Sequence, residues 1–168
     1  MKTKLLKFKT RSYLRNNKSM RVSLPYQQAV TIGLLFTVDD RQKHEEVKEL
    51  IKKLEHEGKQ VTTLAFLPKE KENHEFMFDF FTEKEVSFWG EVQSKNASRF
   101  CDTSFDFVFY LDTQPNPFLL NLLARCKSKC RVGKYWEKSE AFFELMIQSQ
   151  HPSSLFLREI HRYASSLK

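Results

Sequence analysis

The chain has 168 residues, enough for one domain with a sizeable core, and sixteen of them are Phe. No apolar run approaches the roughly 18 residues that a membrane-crossing helix needs. Lys2, Lys4, Lys7 and Lys9 interrupt the only stretch that could act as a secretory leader. Three cysteines, at 101, 126 and 130, point to reduced thiols and a cytoplasmic location.

The net charge of +7 is unevenly placed. Residues 1–21 hold eight basic residues (Lys2, Lys4, Lys7, Lys9, Arg11, Arg15, Lys18, Arg21) and no acid. Taking those eight from the 28 leaves 20 basic against 21 acidic residues in 22–168, so the remainder is close to neutral. On a helix, Leu5, Leu6, Phe8 and Tyr13 fall within about 160° of arc, with Lys4, Lys7, Arg11, Arg15 and Lys18 on the other side. The expectation is a basic arm over 1–21 that seeks RNA, DNA or an anionic membrane surface, followed by one domain over 22–168.

Residues 23–28 read as a linker around Pro25. Residues 29–38 (AVTIGLLFTV) predict a central strand, with Gly33 marking a close helix approach. Residues 44–57 predict an amphipathic helix with Val47, Leu50, Ile51 and Leu54 inward and Gly58 just past its end. A second strand is expected at 60–67 and an edge strand at 76–82. Trp89-Gly90 sits in a turn, and Ser94 caps a short helix to about 101.

Residues 105–112 (FDFVFYLD) predict a strand covered on both faces. Pro115 and Pro117 end it, and Asn116 caps a helix begun by Pro117. On that helix Phe118, Leu119, Leu122, Leu123 and Cys126 share about 140° of arc, while Asn121 and Arg125 face away. Leu120 lies off the stripe, which suggests a second packing partner. A strand at 130–135, a segment at 141–148 that reads as strand or helix and is taken as a sixth strand, and a final helix with Leu155, Ile160, Tyr163 and Leu167 inward complete the chain. The alternation predicts an α/β, three-layer Rossmann-like fold: a mostly parallel sheet of five or six strands, the first five in the order 3-2-1-4-5, with helices on both faces.

In that fold a ligand binds where the strand order reverses, here at Asp39, Asp40, Asp112 and Thr113. The first turn has no glycine and carries two carboxylates, which argues against a dinucleotide phosphate there. The three Asp side chains could converge on a divalent cation, but the favoured reading makes them turn, cap and strand-end residues. The cysteines and five histidines lack ligand spacing, so no metal and no cofactor is called for. Arg125, Lys127, Lys129, Arg131, Lys134 and Lys138 form a second basic cluster beside Tyr135 and Trp136, readable as phosphate contacts with stacking partners or as solvated charge.

FDFVFYLD, the helix ending in LLARCKSKCRVGKYW, then FFELMI and HRYASSL resemble a family of Bacteroidota proteins of unknown function, over most of residues 29–168. Trp89-Gly90 and Arg131-Val132-Gly133 are its most recognisable points. The resemblance implies a cytoplasmic single-domain protein and carries no activity with it. The chain is more distantly similar to the N-terminal half of heptosyltransferase-like glycosyltransferases. Those enzymes hold the sugar nucleotide mainly in a second Rossmann-like domain, which these residues do not include. Two functions are therefore expected to compete: a non-catalytic RNA- or ribosome-associated protein, and a sugar- or nucleotide-processing enzyme or its remnant. Attachment to an anionic membrane surface is a variant of the first.

Overall fold

The structure is a computed structural model describing residues 1–71 and 78–168, with the backbone alone at 153 and 154. Six strands form one all-parallel sheet: β1 (Thr31–Thr37), β2 (Gln60–Phe66), β3 (Phe80–Phe81), β4 (Ser104–Tyr110), β5 (Lys127–Lys134) and β6 (Leu145–Ile147). Their order across the sheet is β3-β2-β1-β4-β5-β6, so the direction of winding reverses between β1 and β4. The helices are α1 (Lys2–Asn16), α2 (Arg41–His56), α3 (Lys95–Asp102), α4 (Pro117–Arg125) and α5 (Ser153–Ser165).

Side-chain alternation divides the core in two. Ile32, Leu34, Phe36, Phe107 and Phe109 point to the face covered by α2 and α5, where Val47, Leu54, Phe156 and Ile160 meet them. Leu35, Val108 and Tyr110 point to the face covered by α3 and α4, against Phe100, Leu119 and Leu123. Gly33 sits under Phe100 of α3 and Phe105; a Cβ there would lie 2.8 Å from the Phe100 ring, so the close approach requires glycine.

The caps follow the local sequence. Asp40 accepts from the Lys43 amide at 2.8 Å and starts α2. Gly58, at φ +81°, follows its last turn. Asn116 accepts from the Phe118 amide at 3.0 Å, with Pro117 opening α4. Ser94 caps α3.

Several expectations need correction. The sixth strand expected at 141–148 is present as β6 but only over Leu145–Ile147, after a 3-10 turn at Ser139–Ala141. Phe143 folds over Gly133, and Glu144 turns back to Arg131, so the chain cannot stay extended. The edge strand at 76–82 is β3 alone among the described residues; 76 and 77 lie outside them. Leu155 and Tyr163 are exposed, and Phe156, Leu157, Ile160 and Ala164 form the inward stripe of α5. The two stripes compete in the sequence. The observed one places His161 inward, where its Nε2 lies 2.9 Å from Glu57. Asn121 does not face away. It is buried under α1, the second partner that Leu120 suggested.

Candidate functional site

The N-terminal helix is docked along α4. Leu6 is fully buried, and Thr10 accepts a hydrogen bond at 3.1 Å from the buried Asn121 amide nitrogen. Asn17, just past the helix, donates to the carbonyls of Ala124 and Cys126 at 2.8 and 3.0 Å, which satisfies the otherwise unpaired end of α4. Gly90, at φ +78°, lies beneath Leu5 and Leu6; a Cβ there would fall 2.5 Å from the Leu6 nitrogen. Lys9 pairs with Glu91 at 2.7 Å, and Lys2 donates to the Glu83 carbonyl at 2.8 Å. The Glu91 carboxylate raises the Lys9 ammonium above its ordinary value.

This docking sets the rotation of α1. At about 100° per residue, Thr10 falls 40° from Leu6, whereas Phe8 falls about 160° away. Phe8 is accordingly exposed, at the far edge of the apolar arc that it shares with Leu5, Leu6 and Tyr13. Lys4, Lys7, Arg11 and Arg15 occupy one outward stripe roughly 100° wide, with Phe8 along its margin. All four cations are exposed, and among the described residues no carboxylate pairs with any of them. Lys18 continues the exposed charge beyond the helix, and Arg125 lies with its guanidinium 5.3 Å from the Tyr13 ring.

The second basic cluster has a different fate. Lys127, Lys129, Arg131 and Lys134 lie on β5, which begins three residues before the strand expected at 130–135, and the strand sends alternate side chains to opposite sides. Arg131 is buried and meets Glu144 through two nitrogens, its NH2 group at 2.7 Å from Oε1. Arg21 donates to the Ser128 carbonyl and lies 3.8 Å from the same Glu144. Burial, then the Arg131 charge, lower the Arg21 guanidinium from its usual value. Lys129 pairs with Asp106 at 2.9 Å and Lys127 with Asp102 at 4.0 Å. Lys134 is half-buried. Trp136 packs against Tyr110 and Phe143, leaving Tyr135 as the exposed ring of that pair.

At the strand-order reversal lies a cleft of 470 Å³ lined by Thr37, Asp39, Lys43, Lys71, Asp112, Thr113 and the surrounding loops. The three Asp side chains do not converge. Asp40 is occupied as the α2 cap, and exposed Asp39 faces Lys71 at 3.5 Å. Asp112 is buried and accepts from the Thr37 amide and hydroxyl and from Lys43 at 2.6 Å. Asn116 in turn donates to the Thr37 hydroxyl at 2.8 Å. This network ties the ends of β1 and β4 together across the crevice. Among the described residues no group of three His, Cys, Asp or Glu side chains is placed to hold a metal ion. Burial pushes the Cys101 thiol up to about 11 and those of Cys126 and Cys130 up to about 12, so they stay protonated at neutral pH.

Residues 2–167 match a family of unknown function (DUF6913). The chain belongs to this family. No curated protein matches it. Among the described residues no helix is long and apolar enough to cross a membrane.

Three residues were missed in the sequence. Glu144 pairs with Arg131 of β5, Lys43 pairs with Asp112, and Asn17 ties α1 to the end of α4. Asn17 carried a weak signal as a polar residue directly after a helical run. Glu144 and Lys43 carried none, because their partners are distant in sequence.

Proposed function

We propose that this DUF6913 member is a non-catalytic binding protein that holds RNA, with ribosomal RNA the first candidate, through the outer face of α1. The observation behind this reading is the stripe of Lys4, Lys7, Arg11 and Arg15: four exposed cations on one face of a docked helix, with no acidic neighbour among residues 1–38. Docking on α4 pre-orders these side chains, so binding does not have to fold the helix. Lys and Arg so placed contact phosphates and read no sequence. Lys18 and Arg125 extend the positive surface at the C-terminal end of the helix.

Membrane attachment is less well supported. A helix lying on a membrane needs a continuous apolar face, and α1 commits Leu6 to the protein and exposes only Met1 and Phe8. An enzyme acting on a sugar or nucleotide, as in the glycosyltransferase likeness, would use the cleft at the strand reversal. There the Asp112 carboxylate is already paired with Lys43, and among the described residues no group of three His, Cys, Asp or Glu side chains forms around it.

The test is equilibrium binding to RNA across a salt series. Four neutralised phosphates give a single-strand affinity that falls about 50-fold between roughly 50 and 200 mM salt. Affinity that ignores salt, or that survives Lys7→Glu with Arg11→Glu, would sink the reading.

A further inference from the structure

The α1 face has an aromatic border. Ser87 to Glu91 form a tight turn, with the Gly90 amide donating to the Ser87 carbonyl at 3.0 Å and the Ser87 amide to the Glu91 carbonyl at 2.8 Å. Phe88 and Trp89 stand at its tip, edge to face with ring centroids 5.5 Å apart. They are 55% and 67% exposed, and Phe8 is 63% exposed, values unusual for such large rings in a protein that buries most of its Phe. The turn is fixed to α1 by Gly90 beneath Leu5 and Leu6 and by the ion pair of Lys9 with Glu91. On the helical wheel, Leu5 and Lys9 lie on the flank that also carries Phe8. The turn that carries the aromatic tip is therefore held against that flank of the helix, and on the wheel Phe8 stands between this flank and the stripe of four cations.

We infer that Phe88, Trp89 and Phe8 form a stacking platform, so that the α1 face selects unpaired nucleotides over a duplex. This rests on the RNA reading above and names the form of nucleic acid it takes. Cations that follow a backbone beside exposed rings are the combination that single strands require: phosphates meet Lys and Arg, and bases leave the backbone to stack on aromatic faces. A duplex offers the same phosphates with its bases already stacked inside, so the rings gain nothing from it. The membrane alternative would also use exposed Trp, but it calls for apolar surface along the whole helix, and the helix offers Lys4, Lys7, Arg11 and Arg15 there. Single-stranded DNA shares the phosphate and base chemistry, and the test compares both strands.

The experiment measures fluorescence anisotropy with a labelled single-stranded RNA of mixed sequence, the same sequence as DNA, and a duplex RNA with equal phosphate count. The full-length protein is compared with the double variant Phe88→Ala, Trp89→Ala and with Lys7→Glu, Arg11→Glu. The replaced rings are exposed, so the fold is retained. The wild type should prefer a single strand to duplex, and the alanine variant should lose about tenfold or more on single strands with its duplex affinity and salt dependence unchanged. Trp89→Phe should keep most of the affinity. Equal binding of single strand and duplex, or an alanine variant that binds single strands like wild type, overturns the platform. If the charge variant still loses binding in that case, the α1 reading survives alone. No binding to any nucleic acid, with association to phosphatidylserine-containing vesicles instead, overturns both.

Discussion

Helix α1 and strand β5 are both basic segments, and they end up with opposite electrostatic fates. On α1 the 3.6-residue period gathers Lys4, Lys7, Arg11 and Arg15 onto one exposed stripe, with no carboxylate paired to any of them among the described residues. On β5 the two-residue period divides the charges, and the neighbouring chain brings a carboxylate to most of them: Glu144 to Arg131, Asp106 to Lys129 and Asp102 to Lys127. Similar composition thus yields a surface open to a polyanion in one place and an internal brace in the other. What separates them is how the backbone distributes the charges and which distant acids arrive.

The most severe way to break this contrast is to reverse the α1 stripe. Replacing Lys4, Lys7, Arg11 and Arg15 by Glu together should weaken RNA binding at least 100-fold, about 3 kcal/mol or more, since attraction becomes repulsion. The unfolding midpoint should move little, because these side chains are exposed and none is paired with a carboxylate among the described residues. The complementary change is Glu144→Gln. It leaves the buried Arg131 without its counter-charge and weakens the hold on Arg21, at a cost of about 3 kcal/mol. Urea denaturation should register that loss while the RNA affinity of the folded protein stays within twofold. A Glu144→Gln protein that is stable but binds RNA more tightly would place β5 in the interface and erase the contrast.

These two segments also explain how far the sequence could be read. The sheet order was legible because β1 and β4 are uninterrupted apolar runs and the intervening helices carry clear stripes and caps, Asp40 and Asn116 among them. Covered parallel strands leave such runs little choice of environment. The rotation of α1 was not legible. Leu5, Leu6, Phe8 and Tyr13 make a plausible apolar arc, and Thr10 gives no hint that it will be buried. Its selection depends on Asn121, 111 residues away. The same holds for α5, where two apolar stripes are available and the contact of His161 with Glu57 marks the one used. At the strand reversal, position was readable from topology, but the pairing of Asp112 with Lys43 was not. Reading it requires knowing that the start of α2 and the end of β4 meet.

An intermediate effect comes from loosening α1 without touching its charges. Leu6→Ala removes a fully buried side chain between α1, α4 and the Gly90 turn, and should cost about 2–3 kcal/mol. If the docked helix pre-orders the cations, RNA affinity should also fall a few-fold, although every Lys and Arg remains. Hydrogen exchange should show faster exchange over residues 2–16 than over β4. Affinity identical to wild type would mean that the arm binds as a flexible chain, and docking would then be irrelevant to function.

The smallest effect concerns the brace and is read as a pH dependence. Asp106 accepts from the Val30 and Thr31 amides at 2.7 and 3.2 Å and from Lys129 at 2.9 Å. Burial opposes its ionisation, but those donors outweigh it and hold the carboxyl below the ordinary aspartate value. A carboxyl whose folded pKa is depressed binds fewer protons when folded than when unfolded. Its contribution is complete above the unfolded value of about 3.9 and disappears as pH falls through the folded one. Asp106→Asn should therefore cost about 1 kcal/mol at neutral pH, and the gap from wild type should close progressively below about pH 4. Thermal midpoints of the two proteins along an acid series would test this. A gap that stays constant to the lowest pH would assign the loss to geometry alone. The α1 stripe should show no matching dependence, because among the described residues none of its four cations is paired with a carboxylate. The acid series thus separates the charges that hold the protein together from those it presents to a partner.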